Sequence, residues 1–512
     1  MGLQYTDTLK ALYREYEDTN VTEAAKLFCK WTVATLLSAD STNNGKRTNI
    51  EKDYQSLGAL LLNTGASKLT QALFPEHTSF FAFQETDATV KLFAELEDAK
   101  GDVTSFLNEL GRNSSALVHA NAGYSQTSYA TKLLMATGNA LIFRDTESQK
   151  FITYNILNYV CKRDGTGELL HTILRENVAI QSIEDEALKS EQLQKGKKLT
   201  DSIELYTSIR RVTRGNGEGW EVTQELDTKP IGEASYYPLM LCPYRVLTWN
   251  LVVGENYGRG LVEEYAGYFG RMSALSEQLL LYEVEAMKLI NLVSAREGAD
   301  VDALTTAETG QYIQADGTGI VAHEGGTANK IQVILADIDQ VFGVLSKAFL
   351  YTGNTRQAER VTAEEIRMLI QETNVNLMGN MAHLAQEWLT PLAYILSVEC
   401  NPKVLAPLTL GGFKLSILVG SGAVNKSISV DRLMLAVQAI TQIVPALTQL
   451  SGRFDPDRVI DKILDSFNIP VSELVFTEEE LREKQAAQDE EQQQQQQQLA
   501  DPELMAQQQG II

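Results

Sequence analysis

Apolar residues recur at helical spacing through most of the first 137 residues. They predict two helices between residues 5 and 37 with a break at Asp18, and a third helix from about residue 54 to 73, which Pro75 cannot continue. Residues from about 87 to 110 and from about 125 to 137 also carry a helical pattern. The N-terminal part of the chain is therefore predicted to be mainly α-helical.

The pattern changes at Gly138 to short runs of alternating or β-branched residues, which are typical of strands. Residues 203–210 alternate with a period of two, and the stretch from about 138 to 250 is predicted to be β-rich. Glycines at 165–167 and 215–219 lie between strand-like runs rather than between a strand and a helix. We therefore interpret both stretches as hairpin turns and not as nucleotide-binding loops.

A heptad pattern follows between residues 263 and 295. One position is filled by Tyr265, Met272, Leu279, Ala286 and Val293, and its companion by Tyr268, Leu275, Tyr282 and Leu289. A helix of about 30 residues would be roughly 40 Å long, at about 1.5 Å per residue. It is either a helix within a large core or a strut that packs against identical struts of neighbouring subunits, and the pattern leaves both open.

A second long helix is predicted from about residue 330 to 351, after small and polar residues at 296–328 that include a candidate hairpin at Asp316 and Gly317. A polar segment, 352–361, follows, and a capping box from Thr362 to Glu365 starts a third helix that Pro391 should kink. The β segment and the polar segment are thus expected at opposite ends of a two-helix pair. The apolar stripes of the second and third helices comprise Ile331, Leu335, Ile338, Phe342, Leu345 and Phe349, and then Ile366, Leu369, Leu377, Met381, Leu384 and Trp388.

The last hundred residues carry helical patterns at about 431–450, at about 456–467 and from Thr477 onward. Residues 478–503 contain nine acidic and two basic residues, a net charge of −7, around the glutamine run 492–498. Because few apolar residues are available for burial, this segment alone would be frayed or disordered. Packing against neighbouring copies would allow it to form a helix.

The composition is that of a globular protein with an unusual charge. The 512 residues allow roughly three to four structural units, or one intertwined architecture. Lys and Arg total 44 against 67 for Asp and Glu, which gives a net charge of −23. This balance argues against a module that grips nucleic acid by neutralising phosphates. The chain contains no run of about 18 apolar residues that would span a membrane.

The motifs of common enzyme chemistry are absent from the sequence. It has no GxxxxGK[ST], GxSxG or HExxH pattern, so no catalytic residue, cofactor or metal is predicted. His383 and Glu387 share a helix face, but no third ligand is near in sequence, which favours an ordinary partly buried histidine. The widely spaced cysteines, together with a start that lacks a signal-peptide pattern, predict reduced core thiols in a reducing compartment: Cys29, Cys161, Cys242 and Cys400.

Six segments, taken together and in order, resemble the portal, or head-to-tail connector, proteins of short-tailed bacteriophages. They are residues 63–75 (NTGASKLTQALFP), 133–141 (LLMATGNAL), 257–265 (YGRGLVEEY), 304–310 (LTTAETG), 359–367 (ERVTAEEIR) and 474–480 (LVFTEEE), the last leading into the glutamine-rich tail. The resemblance covers the chain from about residue 50 to its C-terminus. No one segment is diagnostic, and the ordered set carries the assignment.

The resemblance implies an α+β portal fold, mainly α with a β-rich insert, assembled as a ring that is typically of twelve subunits. The regions it implies are a wing at 1–262, stem helices at 263–295 and 329–351, a clip at 296–328, a channel loop at 352–361, a kinked helix returning to the wing at 362–425, a crown at 426–476 and an acidic, glutamine-rich barrel helix or tail at 477–512. The ring would form the DNA channel at one capsid vertex, for genome packaging, head-tail joining and genome ejection.

The same resemblance implies the partners and the site. The partners would be terminase, tail adaptor and tail proteins, major capsid and scaffolding proteins, internal core proteins, and double-stranded DNA passing without sequence specificity. No membrane partner is implied, and the protein would assemble in the host bacterial cytoplasm and reside in the virion. Arg356 and Arg360, with Asn354, Thr355 and Lys347, are the candidate DNA contacts. The arginines could instead pair with Glu359, Glu364 or neighbouring subunits, and the alternative function is a helical adaptor or scaffold protein that never touches DNA.

Overall fold

The computed structural model describes residues 8–37, 50–74, 79–83, 103–286 apart from 184, 215, 216 and 227, then 289–293, 302, 306, 320–324, 328–351, 379–402 apart from 381, and 417–419. The chain divides into two compact units, Met1–Gly420 and Ser421–Ile512. All described residues belong to the first unit. The predicted helices beyond residue 430 and the glutamine-rich tail lie outside the described residues.

The N-terminal part is helical, as predicted. It contains α1 (Leu9–Tyr16), α2 (Thr19–Trp31), α3 (Leu57–Leu73), α4 (Val103–His119) and α5 (Gly123–Thr137). The predicted break at Asp18 is confirmed, because its side chain accepts a hydrogen bond from Asn20 N at 3.0 Å and caps α2. Helix α3 ends before Phe74, as Pro75 predicted.

One predicted helix end is wrong. The helix expected to end near residue 110 is α4, and it continues to His119. A tertiary contact involves Ser115, in the part of α4 beyond residue 110. Ser115 Oγ accepts a hydrogen bond from Phe80 N at 3.2 Å and shares one with Ser79 Oγ at 2.7 Å. Ser79 and Phe80 precede the short strand β1 (Phe81–Phe83), which pairs with β12 (Ile417–Val419). Ser115 therefore bonds to a distant segment, which local propensity alone does not reveal.

The predicted β-rich insert is confirmed as two antiparallel sheets. The strands are β2 (Asn139–Asp145), β3 (Lys150–Tyr154), β4 (Tyr159–Arg163), β5 (Leu169–Ala179), β6 (Ser202–Arg214), β7 (Gly217–Leu226), β8 (Lys229–Pro238) and β9 (Tyr244–Thr248). Three of them form a sheet in the order β3-β2-β9, and five form a sheet in the order β4-β5-β6-β7-β8. A short helix, α6 (Glu186–Gln194), connects β5 to β6.

Both glycine-bearing stretches are hairpin connections, as predicted. The first joins β4 to β5, and there Asp164 Oδ1 accepts hydrogen bonds from Thr166 N at 2.9 Å and Glu168 N at 2.8 Å. The second joins β6 to β7, where Arg214 pairs with Gly217 across a two-residue turn. Neither stretch opens a helix, so neither has the strand-loop-helix context of a nucleotide-binding loop.

Two long helices follow a short one, α7 (Leu261–Glu264). They are α8 (Ala266–Ala286) and α9 (Ala328–Ala348), and between them β10 (Leu289–Val293) pairs with β11 (Ile320–Glu324). The prediction of one helix through residue 295 is therefore wrong at its C-terminal end. Leu289 and Val293, which continue the heptad count, lie in a strand where their backbone pairs with Glu324 and Ile320. The candidate turn at Asp316 lies outside the described residues.

The returning helix departs from regular α-helix just before Pro391, close to where a kink was predicted. Residues Ala385–Leu389 form a π-helical turn, and α10 (Thr390–Cys400) follows. Pro391 lacks the N–H of a regular helix, and Thr390 Oγ1 donates to the Ala385 carbonyl at 2.9 Å. The predicted apolar stripe is confirmed for Leu384 and Trp388, which are buried in the main core.

The main core joins the helical part, the three-stranded sheet and the ends of the long helices. Gly138 stands at its centre, in the turn from α5 to β2, with a left-handed φ of 78°. A Cβ added there would lie 2.5 Å from the Gly258 carbonyl oxygen, and Asn139 exchanges hydrogen bonds of 2.7 and 2.8 Å with the Gly258 backbone. Two of the segments that carry the family resemblance, 133–141 and 257–265, are thus in direct contact.

Candidate functional site

The candidate site is a hairpin of two helices, α8 and α9, that begins inside the core and extends away from it. The first turns of α8 contact the residues that follow α9, since the rings of Tyr265 and Phe269 meet the Phe349 ring edge-on at 6.5 and 5.6 Å. Farther along, Arg271 forms an ion pair with Asp337. The two helices are therefore antiparallel, with β10 and β11 at the other end of the pair.

The predicted apolar stripe of α9 divides at the middle of the helix. Ile338, Phe342, Leu345 and Phe349 are buried, and the last two are fully buried. Leu335, one turn before Ile338, is 45% exposed, and Val333 is 68% exposed. The C-terminal half of α9 belongs to the core of this chain, while the N-terminal half carries apolar side chains that this chain leaves uncovered.

Helix α8 shows the same division in the opposite direction along the chain. Phe269 and Met272 are fully buried, whereas Leu280, Leu281 and Val284 are 46%, 56% and 50% exposed. Of the heptad positions, Met272 is a core residue and Tyr268 is 40% exposed. The heptad pattern thus includes a core contact at Met272, whereas the most exposed apolar residues of α8 lie beside the heptad positions; packing against neighbouring subunits stays a prediction. We call the exposed residues Leu280, Leu281, Val284, Val333 and Leu335 together the outer apolar face, which is not confined to one side of the hairpin, because Val333 and Leu335 are about 200° apart around α9.

The point where the polar segment 352–361 begins is held firmly by helix α3. Lys68 Nζ donates to the Leu350 carbonyl at 2.6 Å, and burial lowers the pKa of Lys68. Leu350 has a left-handed φ of 60°, and Tyr351 N donates back to the Ser346 carbonyl at 2.7 Å. A lysine at a helix C-terminus also complements the negative end of the helix dipole. The end of α9 is thus bonded to α3 at Leu350, just before the polar segment.

Of the candidate DNA contacts, the structure places only Lys347, which is exposed in the last turn of α9. Asn354, Thr355, Arg356 and Arg360 lie outside the described residues. Lys68 is the residue that sequence reasoning missed. It lies within the segment 63–75, but its role depends on a contact 282 positions away in the chain, for which the sequence carries no local signal.

His383 and Glu387 form an ion pair rather than a metal site. His383 Nε2 lies 3.2 Å from Glu387 Oε2, and Thr248 Oγ1 lies 3.0 Å from the histidine and 2.9 Å from the carboxylate. The hydrogen bond to Glu387 raises the pKa of His383. Burial opposes ionisation of Glu387, but its bonds to His383 and Thr248 leave its pKa below the usual value. In the described part of the chain, no group of three or more metal-ligating side chains occurs.

The cysteine prediction is confirmed for three of the four thiols. Cys29, Cys161 and Cys242 are free and buried, and Cys400 is free and half-buried. Burial raises the pKa of Cys29 and Cys161 to about 12 and that of Cys242 to about 11. Because the thiolate is the reactive form, these three are inert at neutral pH.

None of the described helices is long and apolar enough to cross a membrane.

Comparison with known proteins identifies the family. The model of the bacteriophage head to tail connecting protein matches residues 5–475. The portal protein of Pseudomonas phage phiKMV is 34% identical over 478 residues, which cover 93% of this chain and 93% of the relative. The chain belongs to the bacteriophage head to tail connecting protein family.

Two further relatives agree with the assignment. The portal protein of Escherichia phage T7 is 27% identical and that of Enterobacteria phage SP6 is also 27% identical, over 89% and 72% of this chain and 85% and 71% of the relatives. The resemblance to portal proteins of short-tailed phages is thus confirmed at the level of the family, and the chain is a head-to-tail connector. Among solved structures, a chain from the neck of an empty GTA particle covers 81% of this chain and 90% of its own length, at 10% identity and a TM-score of 0.35.

Proposed function

We propose that this portal protein assembles into a closed ring at one capsid vertex and forms the channel through which DNA enters during packaging and leaves during ejection. The observation that carries the proposal is the outer apolar face of α8 and α9 in a chain of this family. Leu281 and Val333, at 56% and 68% exposure, remain uncovered on helices whose other ends are fully packed. Copies arranged around an axis would cover this face, because a heterologous contact that closes generates a ring.

We take the regions from the family resemblance. The hairpin of α8 and α9 would be the stem, and the two sheets with the N-terminal helices would be the wing. Strand β11 falls within the clip at 296–328, and β10, which pairs with it, would extend the clip to residue 289. The clip would dock terminase and later tail adaptor proteins, and the wing would face the capsid and scaffolding proteins. The crown and tail would follow residue 426, towards internal core proteins. A separate terminase would supply the ATPase, in line with the absence of a P-loop in this sequence.

The channel loop at 352–361 would line the passage. With 67 acidic and 44 basic residues, each subunit is acidic, and acidic walls repel phosphate so that DNA slides without adhering. Arg356 and Arg360 would be local exceptions that touch the DNA backbone without reading its sequence, with Asn354, Thr355 and Lys347 beside them. The Lys68 contact to Leu350 would fix where this loop enters the channel.

The ring is tested by a charge placed in the outer apolar face. Leu281→Asp would bury a carboxylate at each subunit contact, which is strongly unfavourable without a partner. We expect the variant to remain a folded monomer while the unsubstituted protein forms rings, as seen by light scattering and negative-stain electron microscopy. Val253→Asp is the matched control, because Val253 is 77% exposed and lies outside the hairpin. Rings of normal size from the Leu281→Asp variant would contradict the assignment of this face.

The channel loop is tested separately from assembly. Arg356→Glu combined with Arg360→Glu should leave the ring intact and lower the amount of DNA packaged in an in vitro reaction with terminase and proheads. Arg14→Glu combined with Arg112→Glu reverses the same number of charges on exposed helix positions and serves as the control. Packaging that is equal in both variants would remove the loop from the mechanism. The adaptor alternative is rejected or accepted by the diameter of the ring's hole, since DNA passage requires a hole wider than a duplex.

A further inference from the structure

A cavity of about 590 Å³ lies in the wing, between the two sheets and the π-helical turn. Strands β4 and β5 form one wall, β9 forms another, and the helix segment that carries His383 and Glu387 forms the third. This volume is within the range of small-molecule sites, which is roughly 300 to 1,000 Å³. The polar residues that line it and that matter here are Arg163, Thr172, Arg211, Arg245, His383 and Glu387.

Two of these residues, Arg163 and Arg245, have no carboxylate partner in the described part of the chain. Arg163 is 7% exposed and donates to two carbonyls, from Nε to Asn256 at 3.1 Å and from Nη1 to Gly167 at 2.8 Å, and it also bonds to the Cys161 thiol. Arg245 Nη2 donates to the Leu239 carbonyl at 2.7 Å. Among the described residues, Arg163 Nη2 and Arg245 Nε find no hydrogen-bond partner although both atoms are shielded from water.

Glu387 lines the same cavity, but its carboxylate is bonded to His383 and Thr248 rather than to either arginine. Its carboxylate pairs with His383 at 3.2 Å and accepts from Thr248 N at 3.2 Å and Thr248 Oγ1 at 2.9 Å. It acts on Arg163 and Arg245 only through space. Arg211 differs from both, because it forms ion pairs with Glu168 and Glu218. The cavity therefore retains two guanidinium groups in excess of the carboxylates that bond to them.

This excess is costly for the folded protein. A guanidinium group remains charged at any physiological pH, and a buried charge without a partner is strongly unfavourable. The chain does not lack carboxylates, since it has 67 Asp and Glu residues against 44 Lys and Arg residues. Guanidinium groups suit the oxygens of carboxylate and phosphate, so an anion from outside would supply the partner that the described residues do not give to Arg163 and Arg245.

We propose that this cavity binds a phosphate group, as the free ion or as a monoester, through Arg163 and Arg245. The buried hydroxyl of Thr172, which lines the same wall, also has no partner among the described residues. Trp220, Leu169 and Met240 complete an apolar wall that could accommodate the organic part of a monoester. The site lies in the wing, away from the hairpin of α8 and α9, and the proposal does not depend on the ring or on DNA passage.

Isothermal titration of the full-length protein tests the site, first with inorganic phosphate and then with thymidine monophosphate as the monoester probe. We expect saturable binding at a dissociation constant of about 1 mM or below. Arg245→Gln should weaken it at least tenfold, while Arg211→Gln, in the same cavity but on a paired arginine, should change it less than twofold. Tighter binding of the monophosphate identifies a monoester site, and equal binding identifies a site for the free ion.

Two results would overturn the proposal. One is the absence of saturable binding of either probe to the unsubstituted protein at millimolar concentrations, which needs no variant and so does not depend on how a variant folds. The other is binding that survives both Arg163→Gln and Arg245→Gln unchanged. Phosphorus NMR line broadening with Arg245→Lys is a second readout. Because lysine retains the charge and loses the planar fork, binding should be weakened but detectable.

Discussion

The buried ion pair between Arg144 and Glu399 offers the sharpest test of what holds the three-stranded sheet to α10. Arg144 lies on β2 and Glu399 near the end of α10. The contact is bidentate, from Nη2 to Oε2 at 2.7 Å and from Nε to Oε1 at 3.1 Å, and the side chains are 2% and 8% exposed. Arg144 Nη1 also donates to the Gln149 carbonyl at 2.8 Å, and its guanidinium carbon lies 4.4 Å from the centre of the Phe151 ring.

Glu399→Gln removes the negative charge and retains the shape of the side chain. The Arg144 guanidinium would then be buried without a counter-charge, and the loss of one partner of a buried pair costs about 3 to 5 kcal/mol. We expect the free energy of unfolding of the first unit to fall by that amount. Urea titration followed by circular dichroism and by tryptophan fluorescence, at matched protein concentration, measures it through the transition midpoint and slope.

The matched control is an ion pair on the surface. Lys30 and Glu51 are 2.5 Å apart, and their side chains are 34% and 80% exposed, so Glu51→Gln should cost at most about 1 kcal/mol. If Glu399→Gln destabilised the protein by no more than Glu51→Gln does, burial would not increase the contribution of the Arg144 ion pair to the free energy of unfolding. The same result would show that the contact between β2 and α10 is not a fixed part of the folded first unit.

Three further predictions concern the core, the loop entry and pH. Gly138→Ala should destabilise the protein by about 2 kcal/mol or more, because Gly138 has a left-handed φ and an added Cβ would lie 2.5 Å from backbone atoms. Gly165→Ala is the control and should not destabilise it, because the space around Gly165 is open. Equal urea midpoints for the two variants would contradict this. Lys68→Met should leave the fold intact and increase hydrogen exchange at residues 350 and 351, and unchanged exchange would show that the lysine does not hold the loop entry. Burial, and to a smaller extent the charge of Arg210, lowers the pKa of His171 to about 4. The unfolded chain, in which the pKa is about 6.5, therefore binds this proton more readily than the folded protein does. The free energy of unfolding should fall as the pH falls from about 6.5 towards 4. His171→Gln should lack that loss, and identical pH profiles for the two proteins would refute it.

Much of the fold could be predicted from periodicity because the elements follow local rules. Asp18 caps α2, Asp164 closes a hairpin turn and Pro391 interrupts a helix through interactions within a few residues. The end of α8 could not be predicted in this way. The heptad count continues through Leu289 and Val293, and only pairing with Ile320–Glu324, about thirty residues farther along, makes that segment a strand.

The candidate site was predictable only in part. The position of the polar segment after the second long helix followed from the order of elements, and Lys347 lies where that order predicted. The contact of Lys68 with Leu350 joins residues that are far apart in the chain, so no spacing pattern indicates it. The roles of Arg356 and Arg360 remain predictions from sequence. Likewise, the lack of a carboxylate partner for Arg163 and Arg245 among the described residues becomes visible only when the two sheets and the returning helix are brought together.

Electron microscopy of the purified full-length protein tests the central proposal most directly. The account predicts closed rings with a central hole wider than a DNA duplex and with the paired helices α8 and α9 repeated around the axis. Their outer apolar face, which includes Leu281 and Val333, should be covered by the neighbouring subunit. A protein that stays monomeric at every concentration and salt condition, or a ring whose hole is too narrow for a duplex, would contradict it.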